Sequence, residues 1–454
     1  MSVRFRHELR QRRWRLGPVL HAALLLLAWS ASAQETLPSP WALPEPGDCG
    51  AARDSAEDAL PAPFPLSPGD VVGFEELAAL ERYLPAAVWR RRDAFFFEGM
   101  RIEIGPCFRS YTPPAFFAEA TRAFAGRARL LPDGGLADAP AGLPFPPTAI
   151  APDDPQAGQK WAWNAVRRYR GAGRFGELRV TYLEVGQETA HLVGRHFVAL
   201  LMGRADLAET SYGVPWQSKR RWVSGGTTRD PSSGSRCAFR HYRAARAASD
   251  ADSSDDVFLR SSATRKTERV RWDAQFPLLF CAYERGVYFP HGGKVGRYRW
   301  RVAGVRDLVA PINAVTPAYP EDPTRSFGPS GASLARDRWE LRRTLVLEAP
   351  LGAAGRVRRF VDLETLFPLY QVENPGGGDD LILQYAGRWS EDRASYARWP
   401  DAPKRPVRAI DPVVQVRVGG SEVVRVETWD AVAVPPEERS LRRLTSQSSL
   451  ARAR

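Results

Sequence analysis

Val413-Val-Gln-Val-Arg-Val-Gly-Gly-Ser-Glu-Val-Val-Arg-Val-Glu427 repeats valine at two-residue spacing on both sides of Gly419-Gly420. Side chains alternate between the two faces of a strand, so this period marks two half-buried strands. The glycine pair supplies the positive φ of a tight hairpin turn. The same period spreads outward through Leu178–Val185, Tyr298–Val309, Trp339–Glu348, Val357–Asp362, Leu369–Glu373 and Leu381–Arg388. Val257–Arg260 and Arg269–Trp272 read as a strand pair around the polar turn Ser261–Glu268, and His196–Met202 is apolar without a clear period. Strands that follow one another through short turns predict antiparallel pairing. A parallel doubly wound sheet would need strands alternating with long helices, and that alternation is missing. Three short helices are expected, at Phe74–Tyr83, Pro114–Ala125 and Gly158–Tyr169, the last stopped by Gly171. The fold class is mainly β, with a few helices (α+β).

The first 33 residues carry six arginines and one glutamate, the apolar run Leu16–Trp29, and Ala31-Ser-Ala33. A basic start, a short apolar stretch and an A-x-A site make a signal peptide cleaved after Ala33, which predicts a periplasmic protein. Fourteen apolar residues are too few to span a bilayer, which takes roughly 20. Residues 34–68 read as an extended N-terminal arm and 69–177 as a helical, irregular part. Residues 178–434 read as the sheet domain, and 435–454 as a flexible polar tail.

The chain of 454 residues has 64 basic and 52 acidic side chains; without the first 33 its net charge is +7. The arginines are scattered among acids, which argues against a nucleic-acid partner and for a solvated surface or an anionic lipid face. A monomer is expected. Cys49, Cys107, Cys237 and Cys281 are an even set in an exported chain, which suggests two disulfides. Four cysteines can pair in three ways. The sequential pairing Cys49–Cys107 and Cys237–Cys281 closes two moderate loops, and buried free thiols are the alternative.

Recognisable catalytic chemistry is sparse. Gly171-Ala-Gly-Arg-Phe-Gly176 matches the dinucleotide string, but a helix precedes it and a strand follows, the reverse of what pyrophosphate binding needs. Neither G-x-S-x-G nor H-E-x-x-H is present. His191 and His196 point to opposite faces of a strand. No metal, no cofactor and no catalytic residue is assigned, so the chain reads as a non-enzyme.

What the sequence does supply is aromatic and apolar surface. Leu381-Ile-Leu383 is apolar on both faces, and Val346 and Phe360 fall out of phase with their strands' main apolar set. Such a sheet needs cover on both sides, by helices or by a ligand. Trp161 and Tyr169 on the third helix are expected to reach a concave face. Trp339, Leu341 and Leu345 on one strand, and Leu381, Leu383 and Tyr385 on another, are expected to line the same ligand cavity.

Glu98-Gly-Met-Arg-Ile-Glu-Ile-Gly-Pro106, Pro132-Asp-Gly-Gly-Leu136, Ala141-Gly-Leu-Pro-Phe-Pro146, Asp154-Pro-Gln-Ala-Gly158 and Trp163-Asn164 run in order along the chain. Val309-Ala-Pro-Ile-Asn313, Phe327-Gly-Pro329, Asp337-Arg-Trp-Glu-Leu-Arg342 and Arg388-Trp-Ser-Glu-Asp392 follow. Together they resemble domain-of-unknown-function family 1329, exported proteins of Gram-negative bacteria, over about residues 70–430. The resemblance implies a fold like the lipoprotein carriers LolA and LolB: a curved, open antiparallel half-barrel with helices on its concave side. It also implies hydrophobic cargo and an RND-type transporter or outer-membrane partner. The functional expectation is a carrier for a lipid, a lipoprotein acyl chain or another hydrophobic molecule. A cargo-free interaction module of an envelope transport system is the alternative, and a hydrolase the third reading.

Overall fold

Seventeen strands form among the described residues, and most follow the two-residue period. The computed structural model describes residues 41–52, 63–171, 173–206, 220–244, 256–270, 295–314, 326–352, 355–376, 378–391, 407–433, 446 and 450. In chain order the strands are β1 (Val71–Val72), β2 (Ile102–Ile104), β3 (Arg129–Leu130), β4 (Leu136–Ala137), β5 (Gly173–Glu184) and β6 (Gln187–Leu200). Then come β7 (Arg220–Arg229), β8 (Arg236–Ala244), β9 (Asp256–Ser261), β10 (Thr267–Val270), β11 (Arg301–Ala310) and β12 (Arg338–Leu351). The last are β13 (Gly355–Asp362), β14 (Pro368–Asn374), β15 (Leu381–Glu391), β16 (Arg408–Gly419) and β17 (Glu422–Ala433).

Apart from the small β3–β4 pair, they join one curved sheet in the order β1-β2-β12-β13-β14-β15-β16-β17-β5-β6-β7-β8-β9-β10, with β11 also on β12. The order is linear, so the sheet is open. Every pair is antiparallel except β2 with β12. The valine hairpin forms as expected: Val418 lies opposite Val423, and Gly420 takes φ +58°. β9 and β10 pair as expected too, while Trp272 lies outside the described residues.

The helix Ala157–Arg167 matches its expectation, and so does Ala115–Ala123, which opens after Pro114. The segment expected as an α-helix at Phe74–Tyr83 is instead a 3-10 helix over Leu77–Tyr83. Its buried side chains, Leu77, Leu80 and Tyr83, recur every three residues, the period of that tighter helix. Glu76 accepts the Gly73 N–H at 3.0 Å just before it. Two short helices, Ala86–Arg90 and Arg92–Phe95, were not expected.

The unit Leu43–Arg454 contains all of these elements. Its sheet is covered on both faces across β11–β15. Phe360 lies against the layer that contains the helix Ala86–Arg90. Its neighbour Arg359, turned to the other face by strand alternation, holds its guanidinium 5.6 Å from the ring centre of Trp300. The Trp300 N–H donates to Gln159 of the helix Ala157–Arg167 at 3.2 Å. Gly158 lets that helix approach, because a Cβ there would meet the Trp300 carbonyl at 2.4 Å. A large core results, with Leu80, Phe95, Ile102, Ile104, Trp339 and Tyr370 almost fully buried. Burying each such apolar side chain stabilises by about 1.5–3 kcal/mol.

Candidate functional site

The helix Ala86–Arg90 starts after Pro85 (φ −56°) and buries Ala87 and Val88. Ala86, Ala87 and Arg90 wall a groove of about 300 Å³ over β11–β14. The floor is apolar: Val346 and Phe360 are cross-strand partners, and Val372 lies nearby on β14. The rim carries four guanidinium groups, from Arg90, Arg306, Arg356 and Arg358, against one lining carboxylate, Asp380.

Three of the four are positioned by partners. Arg90 pairs with Asp380 at 2.6 Å, and Asn374 donates to the same carboxylate at 2.9 Å. Arg358 pairs with Glu348 at 2.6 Å, and Arg306 donates to the Arg82 carbonyl at 2.9 Å. Burial works to raise the Glu348 carboxyl, but hydrogen bonds from Arg358 and Arg301 outweigh it and hold the group below its usual range. Arg356 is exposed on the same face as Arg358 and Phe360. An apolar floor suits a hydrocarbon chain, and a guanidinium rim suits a carboxylate or phosphate head.

The residues expected to line a cavity lie elsewhere. Trp161, Trp339, Leu341, Leu345 and Tyr385 are fully buried, Leu383 nearly so, and Leu381 half-buried. Leu383 lies opposite Gln371, which in turn lies opposite Arg359, so it shares the face towards the helix Ala157–Arg167 that bears Trp161. Leu345 sits between Val305 and Val361. Trp339 instead packs on Phe96, ring centres 5.9 Å apart, and donates to the Leu334 carbonyl at 3.0 Å. Tyr169 lies beyond the helix, against Phe116 and Phe117. This interior is filled by its own side chains. The groove escaped sequence reasoning because it depends on how the Ala86–Arg90 helix seats, although the out-of-phase Val346 and Phe360 pointed to its floor.

The family-like motifs prove to bond to one another. Gly134 accepts at its carbonyl from Trp163 Nε1 at 3.0 Å and Gln159 Nε2 at 3.1 Å. Asn164 accepts from the Phe145 N–H and donates to the Phe145 carbonyl. The Trp389 N–H donates to Asn313 at 3.0 Å. Within Asp337–Arg342, Glu340 accepts from the Tyr111 hydroxyl at 2.8 Å, and Arg342 bonds Asp362 at 2.8 Å and Glu364 at 3.1 Å. Burial and the adjacent Glu340 both raise the Tyr111 hydroxyl. These motifs act as staples of the fold.

Cys49 and Cys107 form a disulfide with Cα atoms 5.3 Å apart. Cys237 is also disulfide-bonded; Cys281 lies outside the described residues, as do residues 1–40, expected as signal peptide and the start of the arm, and most of 435–454. No cluster of three metal-ligating side chains occurs among the described residues. His191 bonds Glu188 at 2.8 Å, and burial holds His196 down to about 3. Gly171 and Gly173 turn the chain between the helix and β5.

No curated protein matches this chain. A crystal structure of a DUF1329 family protein from Desulfovibrio piger is similar at 10% identity and a TM-score of 0.41, covering 66% of this chain and 99% of that one. A domain from Vibrio parahaemolyticus, whose name refers to outer membrane lipoprotein sorting, is similar at 11% identity and 0.36, covering 66% and 100%. A LolA superfamily protein from Nitrosomonas europaea is similar at 10% identity and 0.29, covering 61% and 92%. The family model for DUF1329, a protein of unknown function, matches residues 94–196, the stretch that holds the motifs from Glu98 to Asn164.

Proposed function

We propose that this protein is an exported, non-enzymatic binding protein for an amphiphile with an apolar chain and an anionic head. The groove carries the reading: Val346, Phe360 and Val372 form an apolar floor beneath four arginines. Its volume of about 300 Å³ is at the lower end of small-molecule sites. Each CH₂ buried there contributes about 0.8 kcal/mol, so part of one acyl chain supplies useful affinity. A phospholipid or a fatty acid has this chemistry, a lipoprotein acyl chain offers its apolar half, and Ala31-Ser-Ala33 supports the periplasm as the place of work. An RND-type exporter or an outer-membrane acceptor is the partner this reading calls for.

Mass spectrometry of the extract from protein purified out of its own periplasm tests it. A bound amphiphile is expected, together with uptake of a fluorescent fatty acid. Ala86→Trp, at an exposed residue on the groove wall, should abolish both. Empty protein that ignores the probe overturns the reading. The filled interior around Trp161, Leu345 and Tyr385 favours a second reading, a cargo-free interaction module. Co-purification of an envelope protein by groove-blocked and wild-type chains alike would support it.

A further inference from the structure

A second pocket, distinct from the groove, lies where the helix Ala157–Arg167 runs out against β6 and β7. Five arginines line it, Arg167, Arg168, Arg170, Arg204 and Arg221, against one carboxylate, Asp206. Most of these cations are committed. Arg204 chelates Asp206, with Nε to Oδ1 at 2.9 Å. Arg167 donates to the Ala139 carbonyl at 2.6 Å, and Arg170 to the Val166 carbonyl at the end of the helix. Arg168 lies over the ring of Phe367. Gly203, at φ +76°, turns the chain and leaves room for the Arg167 guanidinium, which a Cβ would meet at 2.5 Å.

Arg221 is different. Its Nε and Nη1 are out of solvent and have no hydrogen-bond partner. Burial, with Arg243 adding to it, pushes its guanidinium down to about 10. A half-buried cation with two desolvated, unused donors beside four other arginines is costly unless an anion completes the site. The fork of a guanidinium matches the oxygen geometry of phosphate. Trp222, Leu200 and Met202 supply apolar walls, which suit an ester as well as a free anion.

We propose that this pocket binds a phosphate group, as the free anion or as a phosphomonoester head, with Arg221 as its anchor. The claim stands apart from the groove and does not depend on it. Inorganic phosphate and dihexanoyl phosphatidic acid are titrated separately into the mature protein by calorimetry, with thermal melting alongside. Binding of either probe is expected, weakened about tenfold or more in Arg221→Met. Arg170→Gln should weaken it less, because Arg170 already donates to the Val166 carbonyl. Phosphate binding alone would identify the free anion as the ligand, and binding of the lipid alone would identify a headgroup. Arg221→Met should melt higher than wild type without ligand, because it removes a half-buried unpaired charge. Ala86→Trp should bind inorganic phosphate unchanged, and the lipid is titrated into that groove-blocked background, where Arg221→Met should still weaken it, which separates this site from the groove. If neither probe binds wild type, or if Arg221→Met binds both within about twofold of wild type, the proposal is wrong.

Discussion

The body of the sheet, β11–β17, and its extension, β5–β10, use the same pairing but are stabilised differently. In the body both faces are covered across β11–β15, by the layer of residues 63–110 and by the helix Ala157–Arg167, and apolar side chains fill the space. Its charges are buried in matched sets, such as Arg343 with Asp307 at 3.0 Å. In the extension the core divides into two smaller clusters, one around Trp222 and Phe239 and the other around Phe197 and Tyr242. There arginines and glycines stand inside strands. Arg240 lies over Phe197 at 5.0 Å, in space left by Gly225, where a Cβ would meet both side chains at 2.7 Å. Layered packing makes one cooperative core, while a sheet with thin clusters on each face depends on individual fits.

The sharpest break between the two regions should come from tryptophan truncation. Trp339→Ala in the body should cost about 3–5 kcal/mol and lower the midpoint of the whole transition in urea. Trp222→Ala in the extension should instead speed amide exchange in β6–β8 while leaving β12–β15 protected. If both variants lower one common transition equally, the two regions do not differ in cooperativity.

The disulfide comes next. Cys49–Cys107 ties the N-terminal layer of the body to itself across a separation of 58 residues. Replacing both cysteines by serine should cost about 4 kcal/mol in the chain-entropy model, read as a lowered urea midpoint. A change confined to the extension would contradict that assignment.

His196 sharpens the comparison through pH. Its folded-state pKa, about 3, lies below the ordinary 6.5 because of burial. The unfolded chain therefore takes up a proton that the folded chain refuses. The stability from this group is complete above about pH 6.5 and is lost as pH falls towards 3, at about 1.4 kcal/mol per pH unit. Between pH 6.5 and 5 wild type should lose stability faster than His196→Leu; parallel curves would contradict a neutral buried imidazole.

Gly225→Ala should have the smallest effect. The side chains it meets can shift, so a cost of about 1–3 kcal/mol is expected. It should appear as faster exchange in β7 and β8 alone.

Legibility in the sequence followed the same division. Strands β12–β15 are legible nearly to their ends, because each sets apolar residues at the two-residue period against covered faces, whereas β16 and β17 are legible only over Val413–Val418 and Glu422–Glu427, beside their hairpin. β7 and β8 were missed. Gly225-Gly226 breaks the apolar period, and those glycines lie in mid-strand where Arg240, Phe197 and Phe239 crowd them. The helix Ala157–Arg167 was legible by its aromatic face and by Gly171, and its 3-10 neighbour at Leu77–Tyr83 was read with the wrong period. Of the cavity residues chosen from the sequence, Trp161, Trp339, Leu341, Leu345, Leu383 and Tyr385 are buried while Tyr169 and Leu381 are half-buried, because periodicity reports burial and cannot tell a protein neighbour from a ligand.

The sequence by itself determined the mainly β class, the antiparallel pairing and the family resemblance. These are local or collinear properties, carried by residues a few positions apart. Only the tertiary structure decided which buried faces are filled and which are open. The groove joins Ala86 to Arg356 and Asp380, and the arginine pocket joins Arg167 to Arg221. Residues that far apart along the chain meet through sheet order and helix seating, which no local spacing encodes.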